Sequence, residues 1–89
     1  MAVKSKRPKN LKDDDGIQQL GQKIREIRLD KELTQEGLAY EAGLEYSQIS
    51  RIERGVINTS VSQVLAIAKA LKVSPSKLFE FEVQGSKKK

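Results

Sequence analysis

The chain has 89 residues, a net charge of +5 and neither cysteine nor histidine, which bounds it to one domain with a small core and no deep catalytic cavity. Thiol chemistry, disulfides, imidazole bases and the usual zinc sites are excluded. Since no nucleophile, metal cluster or glycine-rich phosphate loop is visible, the expectation is a non-enzyme without metal or cofactor. No apolar run approaches the ~20 residues that cross a bilayer, and residues 1–10 lack a signal-peptide core, so no membrane association and a cytoplasmic address are expected.

In chain order, residues 1–16 read as a flexible charged arm, 17–83 as a folded domain and 84–89 as a basic, disordered tail. A first helix is predicted from Ile17 to about Lys31, burying Leu20, Ile24 and Ile27, with Asp13 to Asp15 near its positive amino end. Thr34 can cap a second helix, Gln35 to Ala42, with Leu38, Ala39 and Ala42 on one side. Gly43 can stop that helix in a left-handed conformation and turn the chain sharply. A third helix runs from about Glu45 or Tyr46 to Arg54 and ends at Gly55. At about 100° per residue it places Tyr46, Ser47, Ser50, Arg51 and Arg54 on one polar face, with Ile49 and Ile52 roughly opposite. A capping box, Ser60-Val61-Ser62-Gln63, opens a fourth helix predicted to bury Val61, Val64, Leu65, Ala68 and Leu71. Ser74 followed by Pro75 announces a short fifth helix through about Glu80 that contains Leu78 and Phe79.

The layout of the second and third helices is that of a helix-turn-helix. The stretch Leu33 to Gly55, LTQEGLAYEAGLEYSQISRIERG, resembles the Cro/repressor-type helix-turn-helix family, also called the XRE family, of small phage and bacterial transcription regulators. The resemblance is carried by Thr34-Gln35, Leu38-Ala39, Gly43, Ile49-Ser50-Arg51-Ile52-Glu53, Gly55 and the run Val64 to Leu71, and it covers about Ile17 to Phe81. It implies an all-α, compact five-helix bundle of the lambda-repressor-like DNA-binding type, with the helix-turn-helix formed by helices 2 and 3. It also implies an ion pair between Arg28 and Glu53 that ties the third helix to the first, with Arg28 close to phosphate. Gln35, at the amino end of the second helix, is then a phosphate contact through its side chain and backbone amide.

On the outer face of the third helix, Arg51 can make a bidentate contact to guanine, the commonest specific pairing in the major groove. Tyr46 can pack on a thymine methyl or reach a phosphate, and Ser47 is short enough for a base edge or the backbone. Ser50 either reads a base or only lets the helix approach DNA closely. Arg54 and Asn58 are candidate backbone clamps, or ordinary exposed residues. Three positions depart from the family pattern. Gly37 costs ~1 kcal/mol relative to alanine inside a helix. Glu45 stands where a shorter cap is common and must cap the helix or accept from a cytosine amine. The loop Val56 to Thr59 has no basic residue.

The charge is uneven. Of seventeen basic residues, eight lie in residues 1–12 (Lys4, Lys6, Arg7, Lys9, Lys12) and 87–89, which leaves nine against twelve acidic residues between Asp13 and Ser86. The folded part is therefore not basic, and a positive face must come from arrangement. The terminal charges either add salt-sensitive phosphate attraction or only solvate the ends.

Because one reading helix spans few base pairs, two copies on a pseudo-palindromic site are expected. Leu78, Phe79, Phe81 and Val83 are the candidate dimer interface, where the alternation of Phe79, Phe81 and Val83 fits a short strand pairing across a two-fold axis; the alternative is one phenylalanine in the monomer core with the rest frayed. The expected function is a sequence-specific, homodimeric regulator bound to double-stranded DNA through the major groove, with no small-molecule ligand evident. A restriction-modification controller is one specific role that suits so small a chain. The alternative is an antitoxin-type interaction module that grips a toxin partner and binds DNA secondarily.

Overall fold

The computed structural model describes residues 12–82. They form five helices: α1 (Asp14–Asp30), α2 (Gln35–Ala42), α3 (Tyr46–Arg54), α4 (Val61–Leu71) and α5 (Pro75–Leu78). Helix α1 packs on α3 and α5, α2 on α3 and α4, and α4 on α5. Seven large side chains, Ile24, Leu38, Ile49, Ile52, Ile67, Leu71 and Leu78, are fully buried. Every helix supplies at least one of them, and each contributes about 1.5–3 kcal/mol on burial. The bundle is thus one shared core, and no helix can leave it independently. Among the described residues no helix is long and apolar enough to cross a membrane.

Local chemistry sets the helix ends. Helix α1 begins three residues earlier than its apolar spacing predicts, because the Asp13 carboxylate accepts from the Gly16 amide at 3.0 Å. Asp14 and Asp15 then occupy the first turn, where the helix dipole favours acids. The folded unit therefore takes in Asp14, Asp15 and Gly16, which the sequence assigns to the arm. Thr34 caps α2 by accepting from Gly37 N–H at 2.9 Å. Gly43 closes α2 at φ 72°, and Leu44 N–H bonds back to Ala39 O at 2.9 Å, a turn that a Cβ would strain. Helix α5 stops at Leu78, short of Glu80. Its last bonds, Phe79 N–H to Ser76 O and Glu80 N–H to Lys77 O, close over three residues and tighten the turn beyond continuation.

The buried stripe of α4 also differs from expectation. Val64, Ile67, Ala68 and Leu71 face the core, while Val61 is 74% and Leu65 43% exposed. Leu65 is turned about 100° from Val64, and Val61 lies in the first turn beyond the core's edge. Leu78, assigned from sequence to a dimer surface, is 0% exposed within the monomer core and is unavailable to a partner. Phe79 is 51% exposed, and Phe81 packs against the core with its ring centroid 6.1 Å from that of Phe79. Val83, the strand pairing that would need it, and the cations of residues 1–11 and 87–89 lie outside the described residues.

Candidate nucleic-acid interface

Helix α3 is the element whose two sides differ most. Its start is fixed by a capping box in which Glu45 and Gln48 serve each other's backbone, the Glu45 amide donating to Gln48 Oε1 at 2.9 Å. Glu45 is thereby the cap of the helix while its side chain stays at the exposed rim. The inner side carries Ile49 and Ile52, both buried, and Glu53, whose side chain is 3% exposed. On the outer side Tyr46, Ser47, Arg51 and Arg54 are exposed and Ser50 is half-buried, a polar arc spanning about 140°.

Glu53 is where three helices meet. Arg28 of α1 donates from Nε to Glu53 Oε2 at 2.6 Å and from Nη2 to Oε1 at 3.0 Å. Gln35 of α2 adds a bond from Nε2 to the same Oε1 at 2.9 Å. The third arm of Arg28, Nη1, is held by Leu33 O at 2.8 Å. The fork geometry is the bidentate one that arginine forms with carboxylates, and every polar arm of the guanidinium is engaged. Such a pair is costly to break from one end, because the survivor is a charge already taken out of water. It fixes the rotation of α3 about its axis, and with it the direction in which the outer face points.

This geometry revises two sequence assignments. Arg28 has a side chain only 8% exposed and all its nitrogens are bonded within the fold, so a direct phosphate contact by Arg28 is withdrawn. The Gln35 side chain points at Glu53, so only its backbone amide, at the first position of α2 where a helix leaves N–H groups open, remains for a phosphate. Asn58, on the loop after α3, borders an apolar pocket of about 260 Å³ that it shares with Ile17, Leu20, Phe79 and Phe81. Arg54 instead lines two grooves on the α1 side of α3.

Two residues that support the face were not singled out from sequence. Gly21 lies on the buried side of α1, and a Cβ there would collide with the carbonyl oxygens of Ile52 and Glu53, the latter at 2.8 Å. α1 can lie against the backbone of α3 only because position 21 has no side chain. The available signal was a glycine inside an otherwise regular helical pattern, next to buried Leu20. Arg25, one turn before Arg28, lines both grooves together with Arg54.

Comparison with known proteins agrees with this architecture. A family model described as helix-turn-helix matches residues 24–78. Control protein C.BamHI of Bacillus amyloliquefaciens is 46% identical over 67 residues, covering 74% of this chain and 83% of that protein. The solved structure of the restriction-modification controller protein C.AhdI from Aeromonas hydrophila aligns with a TM-score of 0.70 at 41% identity, over 71% of this chain and 96% of that one. The wild-type restriction-modification controller protein C.Esp1396I aligns with a TM-score of 0.67 at 39% identity, over 72% of this chain and 83% of that one. The matched region contains the whole helix-turn-helix, its Arg28–Glu53 tie and α4. With an exposed polar reading face set on a fully committed inner face, this chain belongs to the helix-turn-helix family of Cro/C1-type (XRE) DNA-binding transcription regulators.

Proposed function

We propose that this regulator is a restriction-modification controller that binds a pseudo-palindromic operator as a homodimer, each copy laying α3 in the major groove. The observation that carries the reading is the unpaired outer face of α3: Arg51 and Arg54 are exposed and make no ion pair among the described residues, while the helix beneath them is locked from behind by Arg28 and Gln35. Arg51 reads guanine, Tyr46 and Ser47 contact neighbouring bases or sugar, and Ser50 permits close approach. Glu45, at the rim, disfavours or selects bases at the edge of the half-site. Arg54, Asn58 and the Gln35 backbone amide take phosphates and set register without reading sequence.

The similarity to C.BamHI and C.AhdI, both named as controllers, supports the biological role. A second copy has apolar surface to cover: Phe79, with Phe81 behind it, and Val61 and Leu65 one turn apart on α4 are exposed or partly so. These replace Leu78 as the residues expected at the interface.

Selection from a random duplex library tests the whole reading. Two inverted half-sites whose centres lie about 34–36 Å apart, one helical turn, are expected, and Arg51→Ala is expected to lose about 1–3 kcal/mol of discrimination at one base position per half-site. A library from which no motif emerges would sink the proposal, and a single unrepeated half-site would sink its dimeric part.

A further inference from the structure

Two grooves run along the junction of α1 and α3 and share Arg25, Leu29, Glu53 and Arg54 as walls. The larger, about 550 Å³, is also bordered by Thr34, Gln35 and Glu36 at the amino end of α2 and by Tyr46 of α3. The smaller, about 400 Å³, extends along α1 past Gln18, Gln22 and Glu26. We infer that Arg25 is a DNA-backbone contact, holding together with Arg54 the sugar-phosphate strand that passes along these grooves when α3 is in the major groove. The inference deepens the proposed function and rests on it.

The charges around the grooves leave these two arginines without an internal role. Glu53 is neutralised by Arg28 at 2.6 Å, and Glu26 has Lys23 at 3.9 Å, so Glu36 is the acid left on the walls. Arg25 and Arg54 are exposed and form no ion pair among the described residues. Between Asp13 and Ser86 acids outnumber bases, twelve to nine, and a solvated arginine left unpaired in such a fold is free to meet an anion from outside. Lys31, Lys69 and Lys72, which also form no ion pair among the described residues, line neither groove. The open amides of the first turn of α2 sit on the same wall and add partial positive charge.

The occupant follows from what forms the walls. Tyr46 and Arg54 belong to the reading helix, so a duplex docked on α3 must carry its backbone past them, and guanidinium groups suit phosphate oxygens by their planar donor fork. The phosphate role that the family resemblance implies for Arg28 thus falls to Arg25, one turn earlier on α1. Arg28 is spent on the lock, whereas Arg25, exposed on the same helix, forms no ion pair among the described residues.

The experiment measures binding of the full chain to the selected operator duplex and to a random-sequence duplex of equal length, each as a function of salt. Wild type is compared with Arg25→Gln, Arg25→Lys, Arg51→Ala and, as a charge-loss control outside the grooves, Lys69→Gln. Thermal melting establishes that each variant is folded. Arg25→Gln is expected to weaken both duplexes several-fold alike and to make the salt slope shallower by about 0.9 per bound copy. Arg25→Lys should keep most of the affinity, and Lys69→Gln should match wild type. If Arg25→Gln binds both duplexes as wild type does while Arg51→Ala loses its base preference, the inference fails and the proposed function survives. A loss confined to the operator duplex would also overturn it, by making Arg25 a base reader. Wild type that binds neither duplex would overturn both.

Discussion

The two sides of α3 are built from the same nine residues and obey opposite rules. On the inner side every group has a fixed partner: Ile49 and Ile52 are in the core, and both carboxylate oxygens of Glu53 are taken by Arg28 and Gln35. On the outer side Ser47, Arg51 and Arg54 are exposed, and the two arginines have no ion-pair partner among the described residues. The difference teaches where stability ends and function begins. Inner groups are committed to holding a direction, and outer groups are kept free so that a ligand can supply their partners.

That contrast breaks most visibly at Glu53. Glu53→Ala strands the Arg28 guanidinium in a buried site, and the loss in unfolding free energy by chemical denaturation is expected to be about 3–5 kcal/mol. A loss below about 1 kcal/mol, the range of exposed pairs, would mean that the pair is effectively solvated. Next comes Gly21→Ala, which adds one methyl group where the backbones of α1 and α3 touch. It should destabilise by about 1–3 kcal/mol through overpacking, the reverse of the gain that alanine brings to an exposed helix. A stabilised Gly21→Ala would show that α1 can shift away from α3 at little cost.

Gln35→Ala is expected to cost about 1.5–3 kcal/mol at most, since it removes one hydrogen bond to a charged group but leaves the bidentate pair intact. Because Gln35 reaches Glu53 from α2, combining it with Glu53→Ala should add little further loss, and full additivity in the double-mutant cycle would deny their coupling. The smallest stability change belongs to the outer face. Arg51→Ala should move unfolding by no more than about 0.5 kcal/mol while altering base preference, and a marked drop in melting temperature would show that the outer face is structural after all.

Much of the fold was legible in the sequence because its signals are local. Thr34, Gly43, Gly55, Ser60 and Pro75 each mark a helix end through their own backbone or side-chain chemistry, and the boundaries of α2 and α3 and the start of α4 follow. The errors have local causes too. The start of α1 was read from its apolar spacing, although the Asp13 cap sets it, and α5 was extended past the residue where its hydrogen bonds tighten. The buried set of α4 was harder, since Val61 and Leu65 are apolar and helically spaced, and only the position of α2 and α5 decides that Ile67 turns inward in place of Leu65. Leu78 illustrates the same limit: an apolar residue near a terminus fits a dimer surface or a core equally well until the packing of α4 and α5 is known.

At the reading face, the sequence by itself determined which residues share the outer side of α3, because a helix fixes its angles per residue. It also determined that a folded part with more acids than bases must recognise DNA through placement instead of bulk charge. Only the tertiary structure decided which cations are spent and which are free. Arg25 and Arg28 are both arginines on one helix, three residues apart, yet Arg28 is consumed by a carboxylate from α3 and by the Leu33 carbonyl in the loop between α1 and α2, while Arg25 forms no ion pair among the described residues. That distinction, like the need for glycine at position 21, depends on how closely one helix lies against another, a distance that no local signal in the chain encodes.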